Sequence, residues 1–375
     1  MVTRVAFYLS AHGFGHATRM IAIIKELLFQ TDLEIFVKTN VPKWLFLNSI
    51  TTRNKDRIKI VPQECDVGVI YTSGFLIDTL KTSKVIRQMV ASEKTFLNNE
   101  SQFCQDKNIK LIICDIPPLP FLIADKSNIP SVGISNFNWY DIYDYLYQKE
   151  KQKDFLNVVE KIASYYELAD LFLELPFTTS NKIFTEKIAV PLVVRKKTRK
   201  LTEIRKNLSI TPQQKLIFLS LGWHEIKEAV RKMFSDVASL KNSNTVFLLS
   251  SNLRKFSEPK NYFRFLPSED PNSQDYIAAC DLVVSKLGYG IVSECVANKI
   301  PMIYMIRPNY IEDILMSRKL DTFKTSNFLP SDQFLNGDWF YMIDEAIKLK
   351  KISQTVNIDL NGAERCSKYL LRYLE

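Results

Sequence analysis

The segment SKLGYGIVSECVANKIPMIYMIRPNYIED, residues 285–313, decides the fold. The apolar run LVVSK (282–286) predicts a strand, and a glycine-rich turn at Gly288 and Gly290 then leads into a helix. The next apolar run, MIYMI (302–306), predicts a second strand, parallel to the first because the helix between them supplies the crossover. Unpaired backbone N–H groups at such a turn and helix start attract an anion, so the segment predicts a diphosphate cradle. The alternative is an ordinary crossover with a tight turn.

Similar apolar runs, separated by helical patterns, occur along the whole chain. They are VAFYLS (5–10), LEIFVKT (33–39), IKIVP (58–62), LIICD (111–115), SVGIS (131–135) and LFLEL (171–175), then LIFLSL (216–221), TVFLLS (245–250), FRFL (263–266), LVVSK and MIYMI. Nearly all are apolar throughout, as expected where helices cover both faces of a parallel sheet.

The runs form two series, and residues 176–214 between them are richer in Pro, Lys and Arg. We therefore predict an α/β protein with two doubly wound, Rossmann-like domains, 1–180 and 181–358, that face a shared cleft. A C-terminal helix within 359–375 is expected to pack back on the first domain.

Length and composition suit this organisation. A chain of 375 residues, 46% hydrophobic and 24% charged, can bury a core in each half. Its six cysteines form no CxxC pair and it has only three histidines, so we expect neither disulfides nor a metal site. The sequence passes from Met1 into VAFYLS without the features of a signal peptide, and no window has the length of a transmembrane helix. We therefore expect a cytoplasmic protein.

The net charge of +9 favours an anionic partner, such as a nucleotide, an acidic membrane or an acidic polymer. The run RKKTRKLTEIRK, residues 195–206, concentrates this charge. Such a run is typical of a solvated connector and helix face. The alternative is a surface that docks an anionic substrate or makes peripheral contact with the inner face of a membrane.

The loop SAHGFGHATR follows the first predicted strand. Gly13 and Gly15 fit the first two glycines of a dinucleotide fingerprint, but Thr18 occupies the third place, which argues against NAD or FAD. His12 and His16 flank the turn, where core packing has little use for an imidazole. Histidine has a pKa that suits proton transfer near neutrality. Each histidine therefore either serves the reaction or braces the loop with a hydrogen bond.

Two further loops of the first half carry polar candidates. Asp115 ends the strand LIICD, where its carboxylate either orients an imidazole or caps the next helix. The loop SNFNWYDIYDY brings Asn136, Asn138 and Trp139 to the same rim, where amide and aromatic groups suit a sugar-like acceptor. The alternative is an aromatic helix start. Together with His12, these three are the predicted acceptor-binding residues.

The second half supplies most of the donor-binding candidates. Glu294 lies one turn into the predicted helix, where its carboxylate can accept hydrogen bonds from a ribose diol. The turn SLGWHE (220–225) follows the first predicted strand of this half and adds a single glycine, Gly222. The full donor-binding set is Gly13, Gly15, Gly222, Gly288, Tyr289, Gly290, Ile291, Ser293, Glu294, Arg307, Glu312 and Asp313.

Taken together, these motifs resemble those of the GT-B glycosyltransferases. The first loop is most similar to that of the glycosyltransferase-like half of plant L-arabinokinases and their stand-alone microbial relatives. More distantly, the chain resembles the MurG-type N-acetylglucosaminyltransferases and the plant UDP-glycosyltransferases. The glycine-rich turn, the Ser-Glu pair and the polar loop after the next strand follow the order of their donor-binding motif. The His-Gly and Asp-Gln sequences of the plant motif are absent.

The resemblance implies roles for individual residues. His16 would be the catalytic base, supported by Asp115, and Glu294 would bind the ribose. The backbone from Gly288 to Ile291 would bind the diphosphate, and Glu312 or Asp313 would touch the sugar.

Three functions remain open at this point. The first is inverting, metal-independent transfer of a sugar from a nucleoside diphosphate sugar, such as a UDP sugar, to an unknown acceptor hydroxyl, without a cofactor. The second is hydrolysis of a nucleotide sugar, because Gly13, Gly15, His16 and Arg19 fit the GxGHxxR loop of the hydrolases of pseudaminic acid synthesis. The third is a non-catalytic module that binds an anionic polymer or membrane. Phosphorylation of arabinose is not predicted, since the sugar-kinase half of the plant proteins has no counterpart here.

Overall fold

The computed structural model describes residues 2–72, 75–151, 153–220, 244–256 and 262–375. Its first sheet is wholly parallel and has the strand order β3-β2-β1-β4-β5-β6-β7. The strands are β1 (Arg4–Leu9), β2 (Glu34–Lys38), β3 (Ile58–Val61), β4 (Ile109–Asp115), β5 (Ser131–Ser135), β6 (Leu171–Glu174) and β7 (Lys187–Ala189). The helices that connect them are α1 (Phe14–Gln30), α2 (Lys43–Leu47), α3 (Thr79–Ala91), α4 (Glu93–Lys107), α5 (Leu119–Ser127), α6 (Trp139–Glu150) and α7 (Lys153–Tyr166).

The second sheet is also parallel, with the order β10-β9-β8-β11-β12-β13. Its strands are β8 (Lys215–Ser220), β9 (Thr245–Leu249), β10 (Phe263–Phe265), β11 (Leu282–Lys286), β12 (Met302–Met305) and β13 (Ser326–Phe328). The helices of this half are α8 (Leu201–Asn207), α9 (Ser273–Ala279), α10 (Tyr289–Asn298), α11 (Ile311–Phe323), α12 (Ser331–Asn336), α13 (Met342–Lys348), α14 (Lys350–Ser353) and α15 (Gly362–Leu371).

Helix α1 shows how the sequence produces this layering. Its apolar residues recur every three or four positions, so that Met20, Ile21, Ile24 and Leu28 fall on one buried face. That face belongs to a core cluster that also contains alternate residues of β1 and β2. Since each strand is apolar on both faces, a second cluster on the other side of the first sheet packs against helices such as α5 to α7.

In each sheet the strand order reverses at the first strand of the half. β1 lies between β2 and β4, and β8 lies between β9 and β11. At such a switch point the loops after adjacent strands diverge and leave a crevice for a ligand. The loops that follow β1, β4 and β11 are therefore the ones that position a site.

The predicted doubly wound α/β architecture is confirmed, with two additions. The short strands β7 and β13 consist of exposed or partly exposed residues and were not among the predicted strands. Because β7 pairs with β6, the first sheet continues beyond residue 180, where the sequence analysis places the domain boundary. The turn SLGWHE and its Gly222 lie outside the described residues, apart from Ser220.

The C-terminal helix α15 packs against α1 of the first half. Gln30 Nε2 donates a hydrogen bond to Ser367 Oγ at 3.2 Å. At the start of α15, Gly362 lies directly against the backbone of Pro191 and Leu192, and a Cβ atom there would overlap that backbone. The connector between the halves and the C-terminal segment are therefore in direct contact.

Candidate functional site

The predicted pair of His16 and Asp115 is brought together at the switch point of the first sheet. Asp115 is the last residue of β4 and lies beside Leu9, the last residue of β1. His16 follows β1 in the first turn of α1, and its Nδ1 lies 2.8 Å from Asp115 Oδ1. Both side chains are buried, Asp115 completely. This places an imidazole against a carboxylate, with Nε2 as its second ring nitrogen.

Arg19 completes this cluster; it fits the GxGHxxR pattern but is not among the predicted catalytic or binding residues. Its Nε and one Nη contact both oxygens of Asp115 at 2.6 and 2.5 Å. The same Nη lies 2.9 Å from His16 Nδ1 and 2.8 Å from Ser135 Oγ. Burial alone would raise the pKa of Asp115, but the charges of Arg19 and His16 lower it below its ordinary value. Asp115 is therefore held ionised by two partners.

A chain of buried polar contacts continues from Arg19 into the second half. The other Nη of Arg19 donates to Asn136 Oδ1 at 2.7 Å, and Asn136 Nδ2 donates to Glu312 Oε1 at 2.9 Å. Glu312 Oε2 accepts from Arg307 at 3.2 Å. Arg307 also binds both oxygens of Asp313, at 2.9 and 2.5 Å. The polar loop after β12 is thus joined to the His16 cluster through one amide.

The two glycine-rich turns meet between the halves. Gly13 has φ near +98° and precedes α1, while Gly288 precedes α10. Neither helix has a capping side chain or an acidic residue in its first turn. A Cβ atom on Gly290 would lie only 3.2 Å from Gly15 Cα. Two helix N-termini with partial positive charge therefore approach one another, an arrangement that an anion between them would stabilise.

The predicted donor turn, residues 288–293, has side chains that mostly bind other groups of the protein. Tyr289 is buried, its hydroxyl lies 3.0 Å from the backbone N–H of Val193, and Arg19 lies over its ring. Ser293 Oγ donates to Gly290 O at 3.0 Å, and Ile291 is partly buried. What this turn can offer to a ligand is chiefly its backbone N–H groups.

Glu294, the predicted ribose ligand, is paired with Arg195. Two nitrogens of Arg195 contact Glu294 Oε1 at 2.9 and 2.5 Å. Burial raises the pKa of Glu294, with Arg195 opposing the rise. Both residues line a cavity of about 10 Å³ between α1 and α10, whose other walls include Thr18 and Ser293. Binding of a ribose at Glu294 would require a larger cavity. The ribose would then bind Oε2, since Arg195 contacts Oε1.

Lys286 is a site residue that the sequence pattern did not indicate. It is the last residue of β11, and no hydrogen bond of its ammonium to another described residue is present. Burial and the nearby charge of Arg307 lower its pKa to about 8. A partly buried lysine that precedes a glycine-rich turn is suited to binding an anion.

The predicted acceptor residues divide into one exposed histidine and three enclosed side chains. His12 is partly exposed, whereas Asn136 is fully enclosed in the polar chain described above. Asn138 caps α6 by accepting from Asp141 N at 2.8 Å, and its amide donates to Asn181. Trp139 is 2% exposed, and its indole N–H donates to Asp66 Oδ2 at 2.7 Å. The polar groups of Asn138 and Trp139 thus have partners within the protein, and direct acceptor contact by these two residues stays a prediction.

The basic run 195–206 is largely paired with acidic residues. Arg195 binds Glu294, Arg199 binds Asp270 and Asp275, and Arg205 binds Asp281. These arginines fix the connector to the second half. The geometry supports the interpretation of the run as a connector and helix face.

Among the described residues, no group of three or more His, Cys, Asp or Glu side chains is placed to hold a metal ion. Within the same ranges, no helix has both the length and the apolar character needed to span a membrane.

No family model matches the chain. L-arabinokinase of Arabidopsis thaliana is 26% identical over 365 residues, which are 96% of this chain and 33% of that protein. The chain thus spans about a third of the length of this relative.

Several solved glycosyltransferase structures superpose over nearly the entire chain. UGT2 of Phytolacca americana, complexed with UDP-2fluoro-glucose and pterostilbene, has a TM-score of 0.64 and 12% identity, with 100% of both chains covered. A UDP-glucosyltransferase from Polygonum tinctorium capable of glucosylating indoxyl has a TM-score of 0.65 and 12% identity, with 100% and 99% covered. The spinosyn rhamnosyltransferase SpnG, complexed with spinosyn aglycone, has a TM-score of 0.64 and 12% identity, with 97% and 99% covered. The chain has the GT-B fold. The predicted resemblance to GT-B glycosyltransferases is confirmed at the level of fold.

Proposed function

We propose that this GT-B protein transfers a sugar from a nucleoside diphosphate sugar, a UDP sugar in the first instance, to an acceptor hydroxyl. The first half would hold the acceptor and the second half the donor. The observation that carries the proposal is the position of the buried His16–Asp115 pair. It lies on the loop whose Gly15 contacts Gly290, at the open N-terminus of α10. A buried imidazole–carboxylate pair thus lies near the uncapped start of a helix, which supports a base next to an anion-binding turn.

In this reaction, His16 Nε2 removes the proton of the acceptor hydroxyl, while Asp115 accepts the hydrogen bond from Nδ1 and stabilises the imidazolium. The acceptor oxygen forms a bond to the anomeric carbon as the bond from that carbon to the diphosphate breaks. The proton stays on His16 and the electron pair leaves with the diphosphate. In-line attack of this kind inverts the anomeric configuration.

The leaving diphosphate would be stabilised by the backbone N–H groups at the start of α10 and by the ammonium of Lys286. Preorganised donors of this type stabilise developing negative charge without a metal ion. We therefore propose a metal-independent reaction in which the nucleotide sugar is a co-substrate and no further cofactor takes part. Glu312 and Asp313 are proposed to reach the sugar after Arg307 yields one of its contacts.

Incubation with a panel of UDP, GDP and dTDP sugars, with and without a cell extract of the source organism, tests the proposal by mass spectrometry. Wild-type protein is expected to release nucleoside diphosphate only with extract and to add a sugar mass to one extract component. His16→Ala is expected to lose transfer while it keeps UDP binding, measured by calorimetry. Absence of both turnover and nucleotide binding would contradict the proposal and favour a non-catalytic module.

Hydrolysis of the nucleotide sugar is the second candidate, and the position of Arg19 is the observation that favours it. Arg19 completes the GxGHxxR pattern and lies within hydrogen-bonding distance of His16 and Asp115. Release of free sugar without extract, at a rate unchanged by extract, would assign the protein to this class.

A further inference from the structure

A second histidine–aspartate pair lies on the same loop as His16. His12 Nε2 is 3.3 Å from Asp66 Oδ1, and Asp66 Oδ2 accepts the indole N–H of Trp139 at 2.7 Å. Asp66 is buried, whereas the His12 side chain is 38% exposed. Since Asp115 already serves His16, this pair takes no part in the base mechanism proposed above.

The ring of His12 is held in place from three sides. Gly68, with φ near +58°, lies under its face, where a Cβ atom would come within 2.8 Å of three ring atoms. Trp139 contacts the ring edge to face, with centroids 5.6 Å apart. Asp66 binds Nε2. The ring is therefore fixed with Nε2 facing the Asp66 carboxylate and with Nδ1 as its second nitrogen.

The surroundings favour the charged form of this histidine. Within the described ranges, His12 is the cationic group that forms an ion pair with Asp66. Burial opposes the charge of the ring, but Asp66 and, less strongly, Glu64 raise the pKa of His12 above its ordinary value. Burial likewise raises the pKa of Asp66, while His12 and then Trp139 lower it below its ordinary value. Both shifts favour the pair of an imidazolium and a carboxylate, in which Nδ1–H is a charged donor.

His12 is on the acceptor side of the loop. Its contacts are with Ser10, Asp66, Gly68 and Trp139, all from the first half. Gly15, by contrast, touches the donor turn of the second half. A group bound at Nδ1 would use the ring nitrogen that does not face Asp66 Oδ1.

We propose that the His12–Asp66 pair is an oxyanion-binding site, and that the acceptor carries a carboxylate or phosphate group recognised by His12 Nδ1–H. That the bound anion belongs to an acceptor rests on the proposed transferase function, whereas the anion site itself does not require turnover. A hydroxyl acceptor with an anionic group would be held by this group while its hydroxyl reaches His16, four residues along the loop.

Histidine NMR tests the anion site directly, because the chain has only three histidines. Ring-labelled protein, saturated with UDP to fill the donor site, is titrated with acetate and separately with methyl phosphate at constant ionic strength. The signal assigned to His12, by its loss in His12→Gln, is expected to shift saturably with at least one of these anions. The anion that shifts it identifies the carboxylate or the phosphate as the recognised group.

The pH dependence of this shift gives a second measurement on the unmodified protein. Anion affinity is expected to fall at least tenfold as the pH rises through the pKa of His12. Asp66→Asn is expected to lower that pKa and to weaken binding at neutral pH, with folding checked by the unchanged His16 signal. A His12 signal that responds to neither anion, or equally to chloride, overturns the proposal. So does competition between these anions and UDP, which would assign His12 to the donor. Turnover in the sugar panel is scored separately, so failure of the transferase proposal leaves the anion result intact.

Discussion

At the scale of single residues, the site depends on buried charges that neutralise each other. Arg19 contacts four groups of the first half and is itself buried, so each of its contacts replaces water that the guanidinium has lost. Such an arrangement favours one geometry, and loss of any one partner strongly lowers the free energy of unfolding.

Removal of Arg19 is therefore expected to be severe. Arg19→Gln leaves the buried carboxylate of Asp115 without its strongest partner, and unfolding in urea should show a loss of about 3–5 kcal/mol at neutral pH. The lowered pKa of Asp115 in the folded protein means that its contribution is present above pH ~3.9 and is lost as the pH falls. The difference between variant and wild type should therefore shrink in acid.

Arg4→Gln is the matched control. Arg4 pairs with Glu34 at 2.7 Å, but its side chain is 37% exposed, so the expected cost is below about 1 kcal/mol. An Arg19→Gln variant that unfolds no more readily than this control would contradict the role assigned to the buried cluster.

Lys286 gives a prediction about pH. If its ammonium binds the diphosphate, UDP affinity should decrease as the pH rises through about 8, where the amine loses its proton. Between pH 7 and 9 the decrease should approach tenfold, measured by calorimetry. Lys286→Met should bind UDP more weakly at pH 7 and without this dependence, whereas an unchanged profile in the variant would exclude Lys286 as the titrating group.

The sequence identified the residues whose position follows from the fold and missed those whose partners are distant. His16 and Asp115 stand at the ends of predicted strands, and parallel strand ends meet at one edge, so their proximity could be anticipated. Arg19 and Asp66 could not be assigned in this way. Arg19 fits the GxGHxxR pattern, but its contacts with Asp115 and Asn136 depend on packing that the pattern does not describe. Which residue faces Asp66, in an irregular segment, likewise depends on packing.

At the scale of elements, the two helix N-termini at Gly15 and Gly290 define how closely the halves approach. Eleven of the strands were predicted from short apolar runs, most of which are continuous because their residues are buried on both faces. β7 and β13 lie at sheet edges and have exposed or partly exposed side chains, so they were not predicted as strands.

Two alanine substitutions at this contact are expected to differ. A Cβ on Gly290 would be 3.2 Å from Gly15 Cα, a backbone atom that cannot rotate away. Gly290→Ala should therefore push the helices apart and lower kcat/KM for transfer. In Gly15→Ala the nearest atom is Gly290 N at 3.7 Å, an ordinary contact, so activity should be closer to wild type. Equal effects of the two substitutions would show that the close approach does not matter for the reaction.

At the scale of the whole molecule, the connector and the C-terminal segment tie the halves together. Leu192 N donates to Asp359 O at 3.0 Å, and Gly362 N donates to Leu192 O at 3.3 Å. Tyr289, from the donor turn, holds the next residue of the connector. The region that joins the halves is thus itself part of the packed structure.

Gly362→Ala tests this junction. The added Cβ would overlap the backbone of Pro191 and Leu192, which can relieve the clash only by moving the connector. We expect a loss of about 1–3 kcal/mol in urea unfolding, as for overpacked sites. Gly288→Ala, where a Cβ meets no atom within 4 Å, should unfold nearly as the wild type does. A neutral Gly362→Ala would mean that α15 can detach from the connector without penalty.

The side-by-side contact of Leu192, Asp359 and Gly362 means that the polypeptide crosses between the halves twice at one place. Two adjacent crossings are suited to act as a hinge, about which one half could rotate as a rigid body without breaking a covalent link. Rotation that opened the cleft would part Gly15 from Gly290 and Asn136 from Glu312 in one motion. The reverse swing would restore the buried polar chain only when the two halves are correctly aligned. The hydrogen bond from Asn136 to Glu312 would then mark the aligned position of the two halves.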